Sequence, residues 1–125
     1  MSIRQVLLVD DETDFVTTLA ERLRLRGIGA QTVSSGEDAL SELAGGVFDV
    51  MVLDVKMPGM DGLDLLRLVR KKHPDLPVIL LSGHGSTRDG MEGMRLGASD
   101  YLVKPVDIEE LMDRMSEAVA RGTVQ

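Results

Sequence analysis

The sequence has no cysteine, no tryptophan, one tyrosine and two phenylalanines in 125 residues. Without cysteine, disulfides, thiolate metal sites and cysteine nucleophiles are excluded, which fits a reducing compartment. The three aromatics (Phe15, Phe48 and Tyr101) offer nothing to build a base-stacking platform. Basic residues are in deficit: 14 Lys and Arg against 21 Asp and Glu give a formal net charge of −7. A nucleic-acid footprint needs a basic stripe that releases counterions from phosphates, so direct nucleic-acid binding is not expected. Long hydrophobic runs are missing too. The first apolar stretch, Val6-Leu7-Leu8-Val9, meets two acids at once, so it is neither a signal peptide nor a membrane span. The expected location is cytoplasmic.

What is present is the composition of a folded domain: 43% hydrophobic residues and 13 glycines. A chain of this length buries about two-thirds of its unfolded surface and has no room for a second domain. Residues 1–125 therefore read as a single domain with a core over about residues 4–120. After Ala120 only Arg121-Gly122-Thr123-Val124-Gln125 remains, too short for an output module.

Short apolar runs alternate with helix-period segments. The runs are Val6–Val9, Ala30–Val33, Val50–Leu53, Val78–Leu81 and Tyr101–Val103. Most are nearly continuous in Val, Ile, Leu and Met, as in parallel strands covered on both faces. The second, with Gln31 and Thr32, is more polar and reads as an edge strand. Between them, Phe15, Val16, Leu19 and Leu23 fall on one face of a first helix. Ser34 with Glu37 has the capping-box spacing for a second helix. Asp61 can cap a third, which His73-Pro74 ends. Ser86 and Asp89 open a fourth, and Asp107 and Glu110 a fifth. This alternation predicts an α/β fold, a (βα)5 doubly wound, five-stranded parallel sheet with right-handed crossovers.

Polar residues follow the runs: Asp10 and Asp11 after Val9, Asp54 after Leu53, Ser82 after Leu81, Lys104 after Val103. Each sits at the carboxyl end of its strand, the edge on which open α/β sheets bind ligands. With strand order 2-1-3-4-5, Asp10, Asp11 and Asp54 converge. Ser82 is then one strand from Asp54, and the start of strand 5 lies roughly 10 Å away, a gap only a long side chain spans. Carboxylates about 4 Å apart repel by on the order of 4 kcal/mol per pair at an effective dielectric of 20. Their pKa values rise or a cation binds, and oxygen-only ligands point to Mg2+. A cation, a lysine and a hydroxyl around one aspartate form a receptacle for a phosphoryl group, with the aspartate as nucleophile. Taken singly, the acids and Ser82 could instead be helix caps.

The motifs Val9-Asp10-Asp11-Glu12, Leu53-Asp54-Val55-Lys56-Met57-Pro58-Gly59-Met60-Asp61-Gly62, Leu80-Leu81-Ser82-Gly83-His84, Gly97-Ala98-Ser99-Asp100-Tyr101 and Val103-Lys104-Pro105 cover the chain from Val6 to about Ala120. Together they resemble a response-regulator receiver domain of two-component signalling, of the chemotaxis-regulator-like, flavodoxin-like type. The resemblance implies that Asp54 accepts a phosphoryl group from a sensor histidine kinase or phosphotransfer protein. Mg2+ would be held by Asp10 (largely through water), Asp11, Asp54 and the Lys56 carbonyl. Ser82 and Lys104 would contact phosphoryl oxygens, and Lys104-Pro105 would be cis. Ser82 and Tyr101 would act as the switch pair, altering the helix 4–strand 5–helix 5 surface toward an output domain or downstream protein, with phosphorylation-dependent dimerisation possible. Such a domain is a signalling switch that catalyses only its own phosphorylation and dephosphorylation.

Lys56 and His84 occupy the positions that tune phosphoryl lifetime in that family; two solvated loop side chains are the alternative. Gly90 and Gly93 cost roughly 1 kcal/mol each inside a helix. They predict that the 87–96 segment is the least stable helix, or else that it packs closely. A phosphohydrolase with an aspartyl-phosphate intermediate is a rival reading, weakened by Lys56 where such enzymes carry a second aspartate. A phosphorylation-independent interaction module is another. A nucleotide or flavin site lacks a glycine-rich loop after strand 1.

Overall fold

The computed structural model describes residues 3–83 and 87–123. Its strands are β1 (Gln5–Val9), β2 (Gly29–Val33), β3 (Val50–Asp54), β4 (Val78–Ser82) and β5 (Asp100–Val103). The helices between and after them are α1 (Thr13–Leu25), α2 (Gly36–Gly45), α3 (Gly62–Lys72), α4 (Thr87–Arg95) and α5 (Ile108–Thr123). All pairings are parallel, as the alternation predicts, and the order is β2-β1-β3-β4-β5, the one under which the polar strand ends converge.

The strand residues divide strictly by parity, because successive side chains point to opposite faces. Val6, Leu8, Val50, Val52, Ile79 and Leu81 pack with the stripes of α1 and α5, including Val16, Leu19, Leu23, Leu111 and Met115. Leu7, Val9, Met51, Leu53, Val78 and Leu80 face the other way, onto Ala39 and Leu43 of α2 and Leu65, Leu66 and Val69 of α3. Every residue of β3 and β4 is buried, which explains why their runs are apolar without alternation. β2 lies at the edge, with its more polar residues half-exposed or exposed.

The helix starts follow local capping. Asp61 caps α3 by accepting the Asp64 N–H at 2.9 Å, and the helix ends at His73. At α2 the structure corrects the reading by one residue. Ser35, not Ser34, is the cap, its hydroxyl accepting the Asp38 N–H at 3.1 Å. Ser34 is only the connection, because β2 runs through Val33, whose carbonyl accepts the Asp10 N–H. Asp107 opens α5 through its backbone carbonyl, which accepts the Leu111 N–H. Ser86, proposed to open α4, lies outside the described residues. Among the described residues no helix is long and apolar enough to cross a membrane.

Candidate functional site

Three strands deliver polar side chains to one edge of the sheet. Asp54 is the last residue of β3 and Ser82 the last of β4, each 4% exposed, and Asp10 follows β1 at 2%. Buried carboxylates are rare unless paired. Asp10 Oδ1 accepts the Glu12 N–H at 2.9 Å, which shapes the turn into α1. Lys104 follows β5; its backbone N–H is bonded to the Ser82 carbonyl at 2.8 Å, and the Lys104-Pro105 bond is cis.

The Lys104 side chain crosses β4 to reach carboxylates on the far strands. Its ammonium lies 2.6 Å from Glu12 Oε1, 2.9 Å from Asp10 Oδ2 and 3.5 Å from Asp54 Oδ1. The Phe15 ring lies under it, 4.6 Å from ammonium to centroid, within cation–π range. The 2.9 Å contact at Asp10 Oδ2 is a close ion pair whose angles are poor for a hydrogen bond, so this buried oxygen is not fully satisfied.

Burial, then the neighbouring Asp10 charge, pushes the Asp54 carboxyl up to about 6; Lys104 and the Lys56 backbone N–H pull the other way without cancelling them. For Lys104, burial works against the ammonium, but the hydrogen bond to Glu12 and the close Asp10 and Asp54 carboxylates outweigh it. Its pKa stands well above the ordinary lysine value. Lys104 thus stands among more carboxylates than its single charge can neutralise.

Beside these groups is a cleft of about 360 Å³ lined by Asp11, Glu12, Asp54, Lys56, Ser82, Gly83, Asp89 and Lys104. Asp10, Glu12 and Asp54 offer carboxylate oxygens within 4.8 Å of one another, a group able to hold a metal ion. Asp11, expected to join Asp10 and Asp54, is exposed on the cleft wall and outside this tight group. Lys56 is exposed, and its ammonium pairs with Asp89 of α4 at 3.6 Å. Tyr101 is half-buried with its ring against α4. His84 lies outside the described residues.

Sequence reasoning did not single out Glu12, Phe15 or Asp89 for the site. Glu12 carried a signal, since it directly follows the acidic pair at a helix start. Phe15 fits the apolar stripe of α1, and nothing in its spacing shows that its ring also meets an ammonium. A larger cleft of about 490 Å³ opens beside the first residues of β3 and β4, among Leu43, Val47, Phe48, His73, Leu76 and Pro77. It gathers no comparable set of charged groups.

This arrangement has close counterparts. The family model for the response regulator receiver domain matches residues 6–116. The chain is 44% identical over 109 residues to the response regulator protein FleR of Pseudomonas aeruginosa, covering 87% of this chain and 23% of that protein. It superposes on the receiver domain of the Francisella response regulator 1452 with a TM-score of 0.86 and 35% identity, covering 94% of this chain and 98% of the other. The match to NtrX from Brucella abortus has a TM-score of 0.92 and 30% identity, covering 98% of this chain and 28% of that one. The chain spans about a quarter to about half the length of the curated relatives it matches. With the family's model covering nearly the whole sheet and its helices, this chain belongs to the response regulator receiver domains of two-component systems.

Proposed function

We propose that residues 1–125 act as a single phosphoacceptor unit in which Asp54 receives a phosphoryl group from a sensor histidine kinase or phosphotransfer protein. The observation that carries this reading is the pairing of a buried strand-end carboxylate with an ammonium 3.5 Å away, at the rim of a cleft open to a donor. A carboxylate oxygen of Asp54 attacks the phosphorus of a phosphohistidine. The new O–P bond forms as the P–N bond breaks, and the departing imidazole nitrogen keeps the bonding pair and takes up a proton. Lys104 and the Ser82 hydroxyl contact phosphoryl oxygens, where charge-assisted bonds are strong.

The donor set fits Mg2+. It is all oxygen, it is over-supplied with negative charge, and one buried carboxylate oxygen, Asp10 Oδ2, lacks a well-formed hydrogen bond. Asp10, Asp11, Asp54 and the Lys56 carbonyl would hold the ion, with Glu12 close by. When bound, it offsets charge on the acceptor and on the phosphoryl oxygens.

A phosphorylated aspartate carries roughly −2 charge and new acceptor oxygens. Ser82 and Tyr101 respond as the switch pair, and the α4–β5–α5 surface changes. That surface already exposes Met91 (58%), Met94 (43%) and Val103 (45%). Moving such an equilibrium from mostly off to mostly on takes about 5.5 kcal/mol of differential interaction, within reach of several charge-assisted contacts. Lys56 and His84 tune the phosphoryl lifetime. The partners are an output domain or downstream protein, and a second copy upon phosphorylation. The setting is cytoplasmic, and the unit is a switch rather than a metabolic enzyme.

The test is incubation with acetyl phosphate and Mg2+ followed by intact-mass spectrometry. The parent chain gains one phosphoryl group, about 80 Da, that EDTA prevents and Asp54→Asn abolishes. An unlabelled parent, or a labelled Asp54→Asn chain, defeats the assignment.

A further inference from the structure

We propose that Glu12 is a positioning residue for phosphoryl acceptance: in the resting state it competes with Asp54 for the Lys104 ammonium and holds the larger share of it. The inference rests on the phosphoacceptor reading and adds a residue to it. Glu12 stands at the N-cap of α1 with extended backbone angles, and its carbonyl accepts the Val16 N–H at 3.0 Å. N-cap side chains ordinarily turn back onto the first-turn N–H groups. The Glu12 carboxylate makes no such bond and reaches across the cleft to Lys104 instead.

The distances rank the competition. Lys104 is closest to Glu12 at 2.6 Å, then Asp10 at 2.9 Å, and farthest from the acceptor Asp54 at 3.5 Å. The Phe15 ring supports the ammonium from a further side. Asp10 is a fixed partner, with a side chain only 3% exposed, whereas that of Glu12 is 62% exposed. An exposed ion pair is held weakly and its carboxylate is readily solvated once released. Glu12 is therefore the partner that Lys104 can surrender. A phosphoryl group on Asp54 attracts the ammonium and repels the Glu12 carboxylate, so both motions run the same way.

Glu12 also stands in the tight carboxylate group, which gives it a competing role as a cation ligand, and the two roles differ in sign. The experiment compares the parent chain, Glu12→Gln and, as a charge control, Asp14→Asn in the first turn of α1. Calorimetry gives Mg2+ affinity. Titration with beryllofluoride, a phosphoryl mimic, at saturating Mg2+ gives anion affinity, and acetyl phosphate gives the labelling rate. This competition predicts that Glu12→Gln keeps Mg2+ affinity within about twofold. It binds beryllofluoride about twofold to fivefold tighter and labels faster by a similar factor, the range an exposed ion pair supplies. Asp14→Asn shows neither gain.

A roughly tenfold loss of Mg2+ affinity with slower labelling would make Glu12 a ligand and overturn the proposal. Unchanged beryllofluoride binding, or an equal gain in Asp14→Asn, would overturn it as well. If the parent chain itself takes neither beryllofluoride nor label, the phosphoacceptor reading fails; a labelled parent with an indifferent Glu12→Gln variant removes the role of Glu12 alone.

Discussion

Asp54 is 4% exposed and its carboxyl titrates near 6 rather than at the ordinary 3.8, chiefly through burial and then through the Asp10 charge. The folded chain therefore holds this proton more tightly than the unfolded chain does. Between about pH 4 and 6 the folded state carries the extra proton, so stability falls as pH rises across that window. Above the folded pKa the ionised group costs about 3 kcal/mol, an order-of-magnitude figure at 1.36 kcal/mol per unit. Asp54→Asn removes the titration and retains the shape. In EDTA, urea unfolding is expected to show the variant and parent nearly equal at pH 4, with the variant more stable by about 1–3 kcal/mol at pH 7. A difference that stays constant with pH would mean that Asp54 ionises as it would in water. At this scale the strand-end residues were legible, because a residue that follows an apolar run must lie at the sheet's carboxyl edge. Glu12 was not, because the direction a side chain takes at a helix start depends on which partners lie across the cleft. Lys104 arrives there from 92 residues further along the chain.

α4 shows how one local rule yields to packing. Its two glycines argue from propensity for a weak helix, yet each faces a neighbour that leaves no room for a methyl group. A Cβ at Gly90 would lie 2.5 Å from the Tyr101 ring, and one at Gly93 would lie 2.0 Å from Leu80 Cδ1. The two sites differ in what can yield. Tyr101 is half-buried on β5 at the edge of the sheet, whereas Leu80 is fully buried inside it. Gly90→Ala is expected to gain up to about 1 kcal/mol of helix propensity and to drive the ring into solvent. Gly93→Ala is expected to lose about 1–3 kcal/mol by overpacking, beyond what propensity returns. Urea unfolding reads the stabilities. Because the chain has one tyrosine and no tryptophan, quenching of tyrosine fluorescence reports Tyr101 alone. Destabilisation by Gly90→Ala without increased quenching would show that the ring has no outward position to take. Apolar runs and capping signals together gave the strand–helix alternation here, since a parallel sheet buried on both faces writes its pattern strongly. The capping-box spacing misplaced the α2 cap because Ser34 and Ser35 each precede an acid by three residues, and only the end of β2 decides between them. Propensity left α4 ambiguous because a glycine's cost is local while its benefit belongs to the strands beneath.

Over the whole molecule the net charge of −7 is unevenly consequential. Most surface acids are solvated or paired at the surface, as Arg26 with Glu109 and Arg67 with Asp64 are, and such pairs contribute little. Asp10 and Asp54 beside Lys104 are different, for they are held at one buried edge where water screens poorly. A divalent cation that binds the folded chain there must stabilise it by mass action, since the unfolded chain disperses those ligands. At ten times its Kd, Mg2+ should add about 1.4 kcal/mol, which raises the thermal midpoint of a chain this size by about 5 °C. Screening of the overall charge would also raise the midpoint, but any salt would supply that. Thermal unfolding in Mg2+, set against NaCl at matched ionic strength, separates the two. The rise is expected with Mg2+ and largely absent with NaCl. It should shrink in Asp10→Asn and Asp54→Asn, each of which removes a charge from the group, and persist in Asp64→Asn, which removes one from the exposed start of α3. Equal rises in Mg2+ and NaCl, with every variant alike, would reduce the cluster to surface charge and remove Mg2+ from the proposed function.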